Sequence, residues 1–299
     1  MRPIGDIRLP GEDDVRAELE MALALAGCTV QRRHGGILVT EIPIHDSAQT
    51  LSFYFYVRRG FACCVHALAS FPPAERIALL TGVWPLAAAS RGSKILLLRD
   101  QIVLRRDLVP CAAQGEPPFT RAEIEWVLLE MAAEELVIGE PLRRTIARGL
   151  PDTALLGQLD SGWPAAARAG AVAHLTLDAI ATALGSVGRD VRARADELLV
   201  AADPGASDWG RVRLRVGHDL QAEISLGSCK APSPLLIDTL FHLNDDQILT
   251  SFVVDRGRML VRVCYPLADR PLNADQLLAI VDTLGLAAAE EGARLRTLA

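Results

Sequence analysis

The side chains most often used in catalysis are spread thinly along this chain. The six histidines include no pair at positions i and i+4 and no HExxH pattern, so none of them predicts a metal site. They are His34, His45, His66, His174, His218 and His242. The sequence also holds no Gly-rich phosphate loop and no GxSxG nucleophile motif, so we expect no cofactor and no metal.

Two pairs of adjacent residues have side chains that could be reactive. Cys63 and Cys64 lie in an apolar run, with no neighbouring feature that would activate a thiolate. Asp245 and Asp246 suggest a cation site, but adjacent acidic residues in a loop are usually solvated. An enzyme without a recognisable motif is therefore the weakest of the functional hypotheses, and we expect the protein not to be an enzyme.

The composition is that of a globular protein with two domains of ordinary size. The chain has 299 residues, of which 50% are hydrophobic and 23% charged, and its net charge is -6. No apolar stretch is long enough to span a bilayer, and the first residues lack the apolar core of a signal peptide. The six cysteines form no CxxC pair. These features predict a cytoplasmic protein that does not bind membranes.

The same order of helical and strand-like segments occurs twice along the chain. Each copy has an opening helix, strand-like segments, a short helix, a hairpin and a long closing helix. The hairpin is followed by Pro110 in the first copy and by Pro266 in the second. The closing helix is preceded by Thr120, with Glu123 completing a capping box, and in the second copy by Asn273. This recurrence predicts a duplicated α+β domain, each copy an antiparallel sheet packed with helices.

The repeat sets the domain boundaries. We predict a first domain over 1–148, a second domain over 172–299, and between them a Gly/Pro/Ala-rich linker over 149–171.

The order of elements resembles the type III secretion chaperone fold, and within it the YbjN-like proteins. The stretch from Leu243 to Leu284 carries the resemblance: a loop with Asn244 enters a strand, Asp255 to Gly257 reverse it, and an "LxxxQLxxxL"-like helix closes the domain. In the first half, the segment before the second hairpin lacks the Asn, so the resemblance there rests on element order alone. The resemblance implies a protein-binding chaperone or adaptor, duplicated as an intrachain pseudo-dimer, with a homodimer of the whole chain left open.

One strand of the first copy carries aromatic side chains on both faces. In "LSFYFYV", Phe53 and Phe55 point one way and Tyr54 and Tyr56 the other. The next strand is apolar on both faces, whereas a solvated antiparallel sheet has a polar outer face. We therefore expect the second face to be covered, either by the second domain or by a partner. The residues predicted to bind that partner here are Tyr54, Tyr56, His66 and Leu68.

A row of arginines marks the corresponding strand of the second copy. In "RVRLRV", Arg211, Arg213 and Arg215 point outward, and the opposite strand offers one carboxylate, Glu223. The row pairs with Glu223 and solvent, or it forms a small patch for an anionic partner. The main hypothesis is a non-enzymatic module that holds a segment of another protein on an apolar sheet surface or edge. The alternative is a regulator that contacts nucleic acid, or a nucleic-acid-binding protein, through these arginines.

Overall fold

The structure, a computed structural model, describes residues 11–43, 50–71, 82–87, 90, 92–98, 100–110, 116–139, 142–143, 146, 175–202, 210–217, 219–266, 272 and 274–299. The predicted linker, the predicted cap Asn273, and His45, His174 and His218 lie outside the described residues.

The first half forms helices and six strands in the predicted order. The opening helix α1 (Glu12–Leu25) begins with acidic residues, buries Val15, Leu19 and Leu23 on one side, and is followed by Gly27 at φ 77°. The elements after it are β1 (Val30–Arg32), β2 (Leu38–Pro43), β3 (Thr50–Arg58), β4 (Phe61–Ser70), the helical residues 82–87 (α2), β5 (Lys94–Leu98), β6 (Gln101–Leu108) and α3 (Arg121–Glu134). A π-helical turn, Glu135–Gly139, continues α3.

The second half repeats these elements. They are α4 (Leu177–Ser186), β7 (Val191–Arg194), β8 (Glu197–Ala201), β9 (Arg211–Val216), β10 (Asp219–Ser228), α5 (Pro234–Asp246), β11 (Ser251–Asp255), β12 (Arg258–Pro266) and α6 (Ala274–Leu298). The Pro-opened helix α5 is confirmed, with Ser233 as its N-cap. The capping box of Thr120 and Glu123 at the start of α3 is confirmed as well.

Both sheets are antiparallel and have the same strand order. The first runs β1-β2-β3-β4-β6-β5 and the second β7-β8-β9-β10-β12-β11. Two-residue turns close one hairpin in each sheet, β3–β4 in the first and β11–β12 in the second. Arg59 and Gly60 have φ of 52° and 79°, and Arg256 and Gly257 have φ of 47° and 76°, the left-handed values that such turns require. The α+β class with two tandem sheet-and-helix units is confirmed.

Each sheet packs its helices on one face, which we call the inner face. Helix α1 contacts β3 and β4, and helix α6 contacts β10 and β12. Asn244 lies in the last turn of α5 rather than in a loop, and its side-chain amide bonds both backbone groups of Phe252 at 2.6 and 3.0 Å. This contact ties the end of α5 to β11. The opposite face of each sheet is the outer face.

Candidate protein-binding surface

The two tyrosines of β3 lie on the outer face of the first sheet, as predicted. Phe53 and Phe55, which alternate with the tyrosines along β3, are fully buried on the inner face. Tyr54 pairs across the sheet with Val39 and Val65, and 42% of its surface is exposed. Tyr56 is only partly exposed. Tyr54 is therefore the accessible aromatic residue of this face.

The prediction that His66 and Leu68 belong to the same surface as the tyrosines is wrong. His66 lies 5.1 Å from Phe53 between ring centroids, on the inner face, and both His66 and Leu68 are buried. The His66 ring contacts the Ser52 carbonyl at 2.9 Å and the Glu135 carboxylate at 3.1 Å. The turn Arg59–Gly60 sets Tyr54 opposite Val65, and because neighbours on a strand alternate in direction, His66 must face the helices.

The outer face near β5 and β6 is covered by the second half of the chain. Val65, Leu96 and Val103 form a small apolar cluster of their own, and Tyr56 packs against it. Beyond this cluster, backbone carbonyls at the end of α5 contact Arg105 and Lys94. The answer to whether this face meets the second domain or a partner therefore differs between the two ends of the face. The second half covers one end, and Tyr54 stays exposed at the other.

A buried trio of charges forms the centre of this covered region. Asp107 accepts hydrogen bonds from Lys94 Nζ at 2.6 Å and from Arg105 Nε at 2.8 Å. It also accepts one from the Leu249 backbone N–H of the second half at 2.8 Å. The three side chains are at most 5% exposed. The trio is not among the residues predicted from the sequence, where Lys94, Arg105 and Asp107 are charged residues at the ends of two apolar runs.

Burial and charge shift the protonation equilibria of the trio in different directions. Burial lowers the pKa of Lys94 to about 8, and Asp107 only partly compensates. Burial alone would raise the pKa of Asp107, but Lys94 and Arg105 outweigh it and hold that pKa well below its usual range. Burial opposes the charge on Arg105, but Asp107 outweighs it and raises the pKa of the guanidinium. At neutral pH the trio holds two cations and one anion.

The second half makes the equivalent contact in return. Arg105 and Arg262 are each the fifth residue of their strands, β6 and β12. Arg105 donates to the carbonyls of Asp245 and Gln247, and Arg262 donates to those of Ala87 and Ser90. Both guanidinium groups therefore bind backbone carbonyl oxygens of the other half, and those bound by Arg105 lie at the end of α5, where the helix dipole favours a cation.

An aromatic pair continues this reciprocal contact. Trp84 of α2 and Phe241 of α5 meet edge to face, with ring centroids 5.9 Å apart. Trp84 lies ten positions before Lys94, the first residue of β5, and Phe241 lies ten positions before Ser251, the first residue of β11. The halves thus contact each other through equivalent residues, as the subunits of a two-fold dimer do.

The arginine row of the second sheet is paired with carboxylates. Arg213 contacts Glu223 at 2.9 Å and Glu197 at 3.1 Å, and Arg215 contacts Glu197 at 3.0 Å. Arg211, which is mostly buried, contacts Asp190 at 2.6 Å. The inference that one carboxylate faces three arginines is therefore wrong, because Glu197 and Asp190 balance the row together with Glu223. The register between β8 and β9, which brings Glu197 alongside, could not be derived from the sequence.

The other reactive residues are placed as follows. Burial raises the pKa of Cys63 to about 12 and holds that of Cys64 well above its usual value, so both thiols are protonated at neutral pH. Asp246 contacts Arg58 at 3.5 Å and Arg59 at 3.7 Å. Within the described residues, no three or more His, Cys, Asp or Glu side chains form a cluster suited to a metal ion.

Comparison with protein-family models, with curated proteins and with solved structures finds no match to this chain. Among the helices in the described ranges, none is both long and apolar enough to cross a membrane.

Proposed function

We propose that the chain is a non-enzymatic protein-binding module of the chaperone or adaptor kind, with two YbjN-like, secretion-chaperone-like domains joined as an intrachain pseudo-dimer. It works in the cytoplasm and holds a segment of another protein on the outer face of the first sheet, around Tyr54. The reciprocal contact between the halves supports the pseudo-dimer.

The observation that carries the binding surface is a comparison of equivalent rows of the two sheets. In the first sheet, the cross-strand row is Val39, Tyr54, Val65, Arg105 and Lys94. In the second sheet, the equivalent row is Leu199, Arg213, Glu223, Arg262 and Ser251. Tyr54 and Val65 thus occupy the places that an ion pair occupies in the second sheet.

This difference gives the two outer faces different partners. Arg213 and Glu223 are both partly exposed, and their charges are well solvated by water. Tyr54 and its apolar neighbours gain little from water and can be buried by a partner at low cost. Tyrosine offers a large rigid contact area at low cost in conformational entropy, and its hydroxyl can bond to a peptide backbone. An extended apolar segment laid across β3 would therefore bury Tyr54. The outer edge strand β1 offers backbone groups for added strand pairing.

The paired arginines weaken the alternative partner. A row whose charge is balanced by Asp190, Glu197 and Glu223 attracts nucleic acid poorly, because phosphate binding depends on uncompensated cations. The paired arginines therefore favour a protein partner over nucleic acid.

A site-specific photocrosslinker tests the proposal. The reactive residue replaces Tyr54 in one protein and Arg213, its equivalent in the second sheet, in another. We expect a discrete crosslinked protein from position 54 and none from position 213. The substitution Tyr54→Ser should weaken capture of the same protein about tenfold or more, as loss of an aromatic hot spot does.

Leu129→Ser provides the matched control, since it removes an exposed apolar side chain from α3, away from the sheet face. It should leave capture unchanged. Equal crosslinking from positions 54 and 213, or equal losses in Tyr54→Ser and Leu129→Ser, would contradict a binding surface at Tyr54.

A further inference from the structure

A small cavity lies between the two halves, where their equivalent residues meet. Its volume is ≈ 10 Å³, which is room for one water-sized particle. Lys94 and Ser251, the first residues of β5 and β11, both line it, and so do Arg105 and Arg262, the fifth residues of β6 and β12. The cavity therefore lies close to the approximate two-fold axis that relates the halves.

The lining carries more positive than negative charge. Lys94, Arg105 and Arg262 are cationic, and Asp107 is the single carboxylate among the lining residues. Both oxygens of Asp107 are occupied by Lys94, Arg105 and the Leu249 backbone N–H.

Three further carboxylates contact residues of the lining without lining the cavity themselves. Asp245, which is half exposed to solvent, lies 3.7 Å from Arg105 Nη1. Glu134 Oε1 accepts from the backbone N–H groups of Gly92 and Ser93. Asp219 accepts from the thiol of Cys264. Because none of these three carboxylates belongs to the lining, the surface that a bound particle would touch remains cationic.

The lining also offers hydrogen-bond donors from Ser93 and Lys94. Ser93 Oγ is buried and has no hydrogen-bond partner among the described residues. The Lys94 ammonium donates to Asp107 and to the Gln247 carbonyl, which leaves its third N–H for the cavity. A water molecule here would find donors for its lone pairs, but Asp107 Oδ2 already accepts from Lys94, Arg105 and the Leu249 N–H, which leaves Oδ1 as the less occupied carboxylate oxygen for its protons.

We propose that this cavity binds a single halide ion, chloride under ordinary conditions. A monatomic anion has no protons to place, accepts from Ser93 and Lys94, and compensates the excess of cations in the lining. Since residues of both halves surround it, the ion stabilises the contact between them. This site is independent of the Tyr54 surface, so either proposal can fail without the other.

Thermal unfolding of the full chain in different sodium salts tests the site. Chloride and bromide are compared with gluconate at the same pH and ionic strength, so that screening of the net charge is equal. We expect the midpoint to rise saturably in both halides, by about 2 to 4 °C at saturation. Ser93→Ala should raise the halide concentration needed for half of this effect by about tenfold, because a hydrogen bond to an ion is lost.

Ser186→Ala is the matched control, because Ser186 is exposed at the end of α4 and lies away from the cavity. It should respond to halide as the unaltered chain does. A crystal grown in bromide should show an anomalous peak between Ser93 and Lys94. Equal midpoints in all three salts, or a bromide crystal without that peak, would overturn the proposal and leave the cavity to a water molecule.

Discussion

Replacing Asp107 by asparagine should show how much more a buried ion pair contributes to the free energy of unfolding than an exposed one. The side chain is 1% exposed and holds Lys94 at 2.6 Å and Arg105 at 2.8 Å, both buried. The asparagine would keep the shape but not the charge, which leaves two cations in a region with little water. Breaking a buried ion pair in this way typically costs about 3 to 5 kcal/mol. Asparagine also accepts with one oxygen only, so the bond from the Leu249 N–H is weakened as well.

The comparison is Glu223→Gln in the second sheet. Glu223 pairs with Arg213 at 2.9 Å, but both side chains are partly exposed, at 23% and 29%. Solvent compensates the lost charge there, so the expected cost is about 1 kcal/mol or less. The free energy of unfolding is measured for both variants by urea titration, followed by tryptophan fluorescence and circular dichroism.

Acid adds a second readout for Asp107→Asn. Because Lys94 and Arg105 hold the pKa of Asp107 below its usual value, this carboxylate stabilises the fold above about pH 4, the pKa of an unfolded Asp. That stabilisation is lost as the pH falls further, and the difference between the unaltered chain and Asp107→Asn should shrink with it. If Asp107→Asn costs no more than Glu223→Gln at neutral pH, the trio does not organise the contact between the halves.

Three further outcomes follow from the same contacts. Because burial lowers the pKa of Lys94 to about 8, the unfolded chain binds more protons than the folded chain between about pH 8 and 10, so the free energy of unfolding should rise with pH there. Lys94→Met should remove this rise in urea titrations across that range, and an unchanged slope in the variant would contradict the prediction. Tyr56→Ser should cost about 2 kcal/mol, because Tyr56 packs on the Val65 cluster, and Tyr54→Ser less than about 1 kcal/mol; equal losses in thermal melts would show that both tyrosines are equally packed. Leu260→Ala should cost about 2 to 5 kcal/mol, since Leu260 is buried. Its register opposite Val253 places Leu260 on the outer face with Arg262, and a loss near zero in urea titrations would contradict its burial.

Particular elements show why much of the fold could be predicted from the sequence. The hairpins of β3–β4 and β11–β12 are specified by alternating apolar runs around turns that contain Gly60 or Gly257, and these are local signals. The turn Arg59–Gly60 would also have sufficed to set Tyr54 opposite Val65, and so to remove His66 and Leu68 from the tyrosine surface. The domain boundaries, the family resemblance and the binding role stay predictions.

The sequence by itself determined the order of the elements, the duplication and the alternation of side chains along each strand, because all three depend on residues close together in the chain. The tertiary structure decided which outer surfaces are covered and which charges are compensated. Lys94 and Gln247, Arg262 and Ala87, and Trp84 and Phe241 come from opposite halves of the chain, and local periodicity does not specify how such distant residues meet. The pairing of Arg213 with Glu197 depends in the same way on the register between β8 and β9. Tyr54 remains exposed because the second half contacts the first sheet at Lys94 and Arg105 of β5 and β6 and at Arg58 near the turn of β3, away from Tyr54.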